Sequence, residues 1–174
     1  MTLTRVASWI GVSLMLLMMS SCKFVNYSFT SGSVPLDVNT ISISNFPVQG
    51  QRAAIAPPSL SQDLSEGLRD IFIQQSRLTM VRQNGDLIME GEITGYELQN
   101  ASVANNTAAQ QNLVITINVR YTDTKHPENS YEQSFKQMAS FDATQNLSDV
   151  ESGLTSTIIE SLAQDVFNKS LGNW

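Results

Sequence analysis

The segment from Leu113 to Thr122 alternates apolar and polar residues more regularly than any other part of the chain. Side chains of a β-strand point alternately to its two faces, so this period of two predicts a strand with one buried and one open side. The buried side would carry Leu113, Ile115, Ile117, Val119 and Tyr121, and the open side Val114, Thr116, Asn118, Arg120 and Thr122. A fold built around this strand must cover one face of its sheet and leave the other face open to solvent.

Two segments with helical periodicity can supply that cover. Apolar residues recur at three- and four-residue spacing over residues 60–72 and again over residues 150–167, where the helix should end near Gly172. Each segment starts with the pattern of a capping box, Ser59 with Gln62 and Ser148 with Glu151. Gly67 lies among the leucines of the first helix, which predicts a close approach of the sheet at that point.

Four further segments have the pattern of strands, and they span residues 40–46, 79–81, 86–98 and 131–141. The dipeptide Asn84-Gly85 predicts a type I′ hairpin between the second and the third of them. Two helices can cover only one face of the resulting sheet. The sequence therefore predicts an α+β fold, a two-layer sandwich with two helices packed on one face of a mixed four- to five-stranded sheet.

Glycines and loops add detail to this fold. Gly91 and Gly95 fall on the inner side of the segment 86–98, which predicts a bulge or a closely packed helix, and Tyr96 falls on the open side. Residues 99–112 are rich in Asn, Gln and Ala without periodicity and predict a mobile loop. His126 belongs to a predicted turn over residues 123–130, where we expect it to be solvated.

The N-terminus has the layout of a secretory signal. Arg5 provides a positive charge, residues 9–19 are apolar but too few for a membrane-spanning helix, and Ser20 and Ser21 directly precede Cys22. This layout predicts a lipoprotein that is cleaved between Ser21 and Cys22, with a diacylglycerol on the Cys22 thiol and an acyl chain such as palmitate on the new amine. The two acyl chains of the diacylglycerol and the one on the amine together make a stable membrane anchor. An ordinary signal peptide with a chance cysteine is the alternative.

These observations divide the chain into a signal peptide at residues 1–21, a lipidated tether at residues 22–39 and one domain at residues 40–174. Without Arg5, the ten Lys and Arg of the chain fall to nine against sixteen Asp and Glu, a net charge of −7 for the mature protein. An acidic chain is a poor nucleic-acid binder, because phosphate contacts need clustered Lys and Arg. With Cys22 lipidated no disulfide is possible, so packing alone must stabilise the fold.

No set of residues points to catalysis. His126 is the only histidine and Cys22 the only cysteine, so the chain lacks both a zinc-binding cluster and a credible nucleophile–histidine–acid set. Glu90 and Glu92 lie two apart on one strand and could form an acid–base pair, but a solvated strand face explains them better. We therefore predict a protein that is not an enzyme and that uses no metal and no cofactor.

The order of several segments resembles the LptE family of lipopolysaccharide-assembly lipoproteins, in the form found in the Bacteroidetes. No single motif is diagnostic, but together they cover nearly all of residues 22–174. The matching segments are Tyr27-Ser-Phe-Thr-Ser-Gly, Ile41-Ser-Ile-Ser-Asn-Phe-Pro, residues 60–70, residues 84–96, Ile117-Asn-Val-Arg-Tyr, Tyr131-Glu-Gln-Ser-Phe and residues 167–174.

The resemblance implies a two-layer fold of two helices on a mixed sheet. It also implies an outer-membrane lipoprotein that sits as a plug inside the β-barrel LptD, supports barrel assembly and helps to deliver lipopolysaccharide to the cell surface. A stand-alone periplasmic carrier that holds a lipid in an apolar pocket is the main alternative, and an unrecognised hydrolase is a third. The polar open face of the predicted sheet favours the plug, because the lumen of a wide barrel is polar.

Contact with lipopolysaccharide would require a local basic site on this acidic domain. Arg120 and Lys136 are the candidates, because both fall on the open side of successive strands. If these strands pair with residue 120 opposite residue 136, or shifted by two, the two cations are neighbours. The alternative is that both simply offset Glu90, Glu92 and Glu132 on the same face.

Overall fold

The computed structural model describes residues 34–100 and 110–172. Two helices pack on one face of a five-stranded mixed sheet, so the predicted α+β fold is confirmed. The elements are β1 (Thr40–Ile43), α1 (Leu60–Gln75), β2 (Thr79–Met80), β3 (Leu87–Asn100), β4 (Gln110–Asp123), β5 (Tyr131–Asp142) and α2 (Leu147–Leu171), with 3₁₀ turns at Gln51–Ala53 and Pro127–Asn129. The predicted signal, Cys22, most of the tether and residues 101–109 of the predicted loop lie outside the described residues.

A long antiparallel ladder forms most of the sheet. β3 and β4 pair from Leu87 opposite Asp123 to Asn100 opposite Gln111, and β5 pairs antiparallel with β4. On the other side of β3, the short strand β1 pairs parallel with both β3 and β2, which gives the order β2-β1-β3-β4-β5. Parallel neighbours need a crossover, and α1 provides it between β1 and β2.

The hairpin predicted at Asn84 and Gly85 is wrong. β2 and β3 both run parallel to β1, which lies between them, so they do not pair. Asn84 has a φ of 57°, but Gly85 does not adopt the positive φ that a type I′ turn also needs at its second position. A Cβ added to Gly85 would lie 2.6 Å from the backbone nitrogen of Ser42. Gly85 therefore permits close packing against β1 and not a hairpin.

The hydrophobic core lies between the two helices and the inner face of the sheet. The rings of Phe72 in α1 and Phe167 in α2 meet edge to face with their centroids 5.2 Å apart. At Gly67 an added Cβ would lie 2.6 Å from Cγ2 of Ile159, so the predicted close approach exists. Its partner, however, is α2 and not a strand, because the two helices pack side by side across the sheet.

Neither predicted capping box forms. The residues at the helix starts are Ser59 and Asn146, and neither makes a side-chain capping hydrogen bond. Glu151, predicted to close the second box, accepts a hydrogen bond from the hydroxyl of Tyr96 instead. The Glu151 side chain therefore joins α2 to the sheet and does not cap the start of the helix. The end of α2 at Gly172 agrees with the prediction.

The predicted bulge is present in β3, where the register with β4 shifts between Ile93 and Gly95. The extra residue reverses the alternation of side chains, so Tyr96 is buried and the prediction that it faces the open side is wrong. Burial, and then the hydrogen bond with Glu151, raise the pKa of Tyr96. Gly91 makes room for an aromatic ring, because its added Cβ would lie 2.4 Å from Cε1 of Phe46.

Residues 34–38 are fixed to the domain by charged side chains. The guanidinium of Arg77 donates hydrogen bonds to backbone carbonyls of this segment. The prediction that His126 is solvated is wrong, because its side chain is only 30% exposed and lies between two carboxylates. Its Nε2 is 3.5 Å from Oδ2 of Asp37 and its Nδ1 is 3.6 Å from Oδ2 of Asp123. The turn between β4 and β5 therefore helps to hold the point where the chain enters the domain.

A single carboxylate joins the start of β1 to the start of β3. Oδ2 of Asp86 accepts hydrogen bonds from the backbone N–H of Asn39 at 3.0 Å, from that of Thr40 at 3.1 Å and from the Thr40 hydroxyl at 2.9 Å. The Asn39 N–H and the Thr40 hydroxyl are the main reasons why the pKa of Asp86 lies below its ordinary value. These bonds set the register of the parallel pair, which is too short to be stable by its own ladder.

Replacing Asp86 with Asn should lower the free energy of unfolding by about 1 kcal/mol at neutral pH, because hydrogen bonds to a charged acceptor are stronger than neutral ones. A carboxyl with a depressed folded-state pKa contributes fully above its unfolded pKa and loses that contribution as the pH falls through the folded value. Urea unfolding should therefore show the difference between wild type and D86N shrinking below about pH 4. A difference that stays constant through the acid range would contradict this role.

Candidate functional site

The open face of the sheet is polar, as the alternation predicts. Exposed residues on this face of β3, β4 and β5 include Glu90, Arg120, Glu132, Lys136 and Ser140. Met138 is an exception, since this large apolar side chain is 59% exposed on β5. The inner face is covered by α1 and α2, so any ligand that binds the sheet itself must approach the open face.

A cleft opens on this face beside the bulge of β3. The segment before it is held by two backbone hydrogen bonds, from Gln49 N–H to the Ile93 carbonyl at 2.8 Å and from Ile93 N–H to the Pro47 carbonyl at 2.9 Å. Gly50 then turns the chain at a φ of 94°, and the 3₁₀ turn Gln51–Ala53 lies against β3. The cleft has a volume of about 640 Å³ and is lined by Gly50, Gln51, Arg52, Thr94, Gly95, Glu97, Thr116 and Lys136.

The cleft carries two cations and one carboxylate. Nε of Arg52 lies 3.8 Å from Oε1 of Glu97, and the Arg52 side chain is 81% exposed. Lys136 has no carboxylate within 4.0 Å in the part of the chain that the structure describes. The exposed ion pair between Arg52 and Glu97 holds the Arg52 side chain only weakly. The cleft therefore offers an ammonium and a guanidinium that can both turn toward an anionic group.

The predicted pairing of Arg120 with Lys136 is wrong. The register of β4 and β5 places Arg120 opposite Glu132 and Lys136 opposite Thr116. The two cations are thus four positions apart along the sheet, about 13 Å at the rise of a strand. Nε of Arg120 donates to Oε2 of Glu132 at 3.1 Å, which is the charge balance that the alternative predicted. The hydrogen bond from Arg120, and then that from Asn118, lower the pKa of Glu132.

The sequence does not identify Arg52 as a residue of this site, because Arg52 lies between the predicted strand at residues 40–46 and the predicted helix at residues 60–72. Two features bring Arg52 over the sheet: the pairing of residues 47–49 with β3 and the positive φ of Gly50. Pro47 and Gly50 could have indicated a turn there. Only the tertiary contact with Ile93 decides that this turn faces Lys136.

The two cations of the cleft can bind an anion. Its lining includes neither a histidine nor a cysteine, and Glu97 is its single carboxylate. Within residues 34–100 and 110–172, no three His, Cys, Asp or Glu side chains lie close enough to hold a metal ion. None of the helices in that part of the chain is long and apolar enough to cross a membrane.

A family model described as LptE, lipopolysaccharide-assembly, matches residues 38–170. The match spans most of the chain and includes every residue of the cleft. No curated protein matches the chain.

Several solved structures of bacterial proteins are similar to this chain at low sequence identity. A minor lipoprotein of Acinetobacter baumannii aligns at 14% identity over 75% of this chain and 94% of its own, with a TM-score of 0.49. The hypothetical protein CT253 of Chlamydia trachomatis aligns at 14% identity over 78% and 94%, with a TM-score of 0.48. The rare lipoprotein B of Shewanella oneidensis aligns at 11% identity over 75% and 92%, with a TM-score of 0.41.

Proposed function

Because the chain belongs to the LptE family of lipopolysaccharide-assembly proteins, we propose that it is an outer-membrane lipoprotein that plugs an LptD-type β-barrel during lipopolysaccharide delivery to the cell surface. The single observation that carries the proposal is the family match over residues 38–170. A role in lipopolysaccharide assembly follows from the family. The barrel partner, the outer membrane and the lipid anchor at Cys22 are what we propose beyond it.

The surface of the domain supports a plug better than a lipid carrier. A carrier needs a concave site lined mostly by apolar side chains. The large clefts on the two faces of this domain are both lined mainly by polar residues, while the apolar side chains of α1 and α2 pack against the sheet. A polar outer surface suits a wide barrel, whose lumen is itself polar.

The cleft beside the β3 bulge is the proposed contact for the phosphates of lipopolysaccharide. Arg52 and Lys136 both line it, and Lys136 is free of any carboxylate within 4.0 Å among the described residues. Guanidinium and ammonium groups are the usual partners of phosphate. Arg120 stays a second proposed contact on the same face, but its pairing with Glu132 must be given up before it can bind an anion.

Metabolic labelling with a clickable palmitate should tag the wild-type protein and leave C22S untagged, because only the Cys22 thiol can start lipoprotein maturation. Both proteins are followed by an antibody to a C-terminal tag, so that a change in protein amount is not mistaken for lost lipid. Equal labelling of the two proteins would exclude the proposed anchor.

The double variant R52E/K136E should bind purified lipopolysaccharide at least about tenfold more weakly than wild type, since it replaces two phosphate-binding cations by anions. The matched control R82E/K169E makes the same change in net charge at exposed residues outside the cleft. R120E alone should have a smaller effect, because Arg120 is already engaged by Glu132. Binding is measured on the detergent-solubilised lipoprotein, and an equal loss in both double variants would remove the cleft from the proposal.

Purification of the tagged lipoprotein in mild detergent should recover a large outer-membrane β-barrel protein in a fixed stoichiometric ratio. A photo-crosslinking amino acid at Met138, which is 59% exposed on the open face, should form a crosslink to the same barrel in intact cells. The measurement is mass spectrometry of both products. Recovery of lipopolysaccharide without any barrel protein would favour the carrier instead.

A further inference from the structure

A turn at the start of the domain exposes one apolar side chain to solvent. Residues 35–38 form this turn, which is closed by a hydrogen bond from the Val38 N–H to the Pro35 carbonyl at 3.1 Å. Val38 is buried in the core, whereas Leu36 is 89% exposed. No other large apolar side chain among the described residues is as exposed. A single exposed leucine is ordinary on a protein surface, so its surroundings must decide whether it has a partner.

Side chains from two other segments fix this turn to the domain. Nη2 of Arg77 donates hydrogen bonds to three backbone carbonyls of residues 34–38. The carboxylate next to Leu36 is directed toward the turn between β4 and β5, because Oδ2 of Asp37 lies 3.5 Å from Nε2 of His126. Leu36 is therefore presented to solvent by a turn that the domain holds in place.

Arg77 also brings a positive charge to this turn. It has no carboxylate within 4.0 Å among the described residues. Its Nη1 and Nε donate no hydrogen bond within residues 34–100 and 110–172, so they can still bind an anion. Lys125 adds a second cation at this end of the domain, 46% exposed and 3.6 Å from Asp86. An exposed leucine beside such cations matches the surface of a lipid bilayer, where acyl chains and headgroup phosphates are neighbours.

The position of the turn in the chain favours the same partner. Residues 22–33 connect the proposed anchor to the domain and span at most about 43 Å. The hydroxyls of Ser170, at the end of α2, and Tyr131, at the start of β5, form a hydrogen bond of 2.8 Å, so α2 ends near this turn. With 25 residues α2 is about 37 Å long. The far end of the domain could reach the bilayer only by using almost the whole tether, whereas the turn needs little of it.

We infer that the turn at residues 35–38 lies on the phospholipid surface of the membrane, with Leu36 among the acyl chains and Arg77 at the headgroup phosphates. The inference rests on the lipid anchor of the proposed function and adds an orientation to it. Glu97, which lines the cationic cleft, is about 34 Å along β3 from Leu87. The cleft therefore stays clear of the lipid when the turn is in contact with it.

A fluorescent label near the turn should report this contact. Glu128 is exposed on the same β4–β5 turn as His126, and a lipidated Cys22 has no free thiol, so an NBD dye should label E128C and not wild type. The full lipoprotein is reconstituted in vesicles of phosphatidylethanolamine and phosphatidylglycerol that contain a lipid spin-labelled near the top of an acyl chain. The label at position 128 should be quenched at least about twice as strongly as the same label in I55C, which lies near the other end of β3.

Replacing Leu36 tests whether it inserts. E128C/L36D should lose at least about half of the quenching of E128C, because a carboxylate opposes entry into the acyl region. The matched control E128C/I55D makes the same exchange at another exposed apolar residue, 68% exposed, and should keep the quenching of E128C. Thermal unfolding of the two double variants should equal that of E128C, because neither replaced side chain is buried.

Flotation of the vesicles on a density gradient reads the anchor separately from the orientation. If the protein floats with the vesicles but its label is not quenched, or if L36D leaves the quenching unchanged, the inference is overturned and the anchor stands. Protein that stays at the bottom of the gradient would refute the anchor and the inference together.

Discussion

One-sided burial of the β3–β4–β5 ladder is the constraint on which the rest of this structure depends. Its inner residues are covered by two helices, and the rings of Phe72 and Phe167 join those helices above the sheet. Because burial of apolar side chains dominates the stability of a domain with no disulfide, every alternating strand must keep its apolar side inward. The outer side is then free to carry charge, and the cationic cleft lies on that side.

The bulge in β3 affects both the packing of the core and the cleft on the open face. By adding one residue between Ile93 and Gly95, it turns Tyr96 into the core and brings its hydroxyl to Glu151 on α2. The bulge also lies beside the cleft. The backbone of Ile93, at its edge, forms hydrogen bonds with Pro47 and Gln49, which precede Arg52 in the chain. Bulges re-aim side chains next to functional sites in many sheets. Here a single shift in register fixes both a helix–sheet contact and the position of a cation.

Charge is separated between the two layers of the domain. The open sheet face carries Arg52 and Lys136 around one cleft, whereas the groove between the helices is lined by five carboxyl groups without a cation among its described residues. The net charge of the chain is −6, which would repel an anionic ligand on average. Local separation allows an acidic domain to present a cationic cleft to an anion.

Sequence by itself determined the two-layer class, the approximate span of each helix and strand, the polar open face, the bulge near Gly95 and the end of α2 at Gly172. These follow from local periodicity and from single residues with restricted backbones, so neighbours along the chain contain the information. Only the tertiary structure decided that β1 lies between β2 and β3, that Arg120 pairs with Glu132, that Gly67 meets Ile159 and that Arg52 lies near Lys136. Strand order and register depend on contacts between segments far apart in sequence, and a one-residue bulge reverses every side chain after it, so a local pattern cannot determine them.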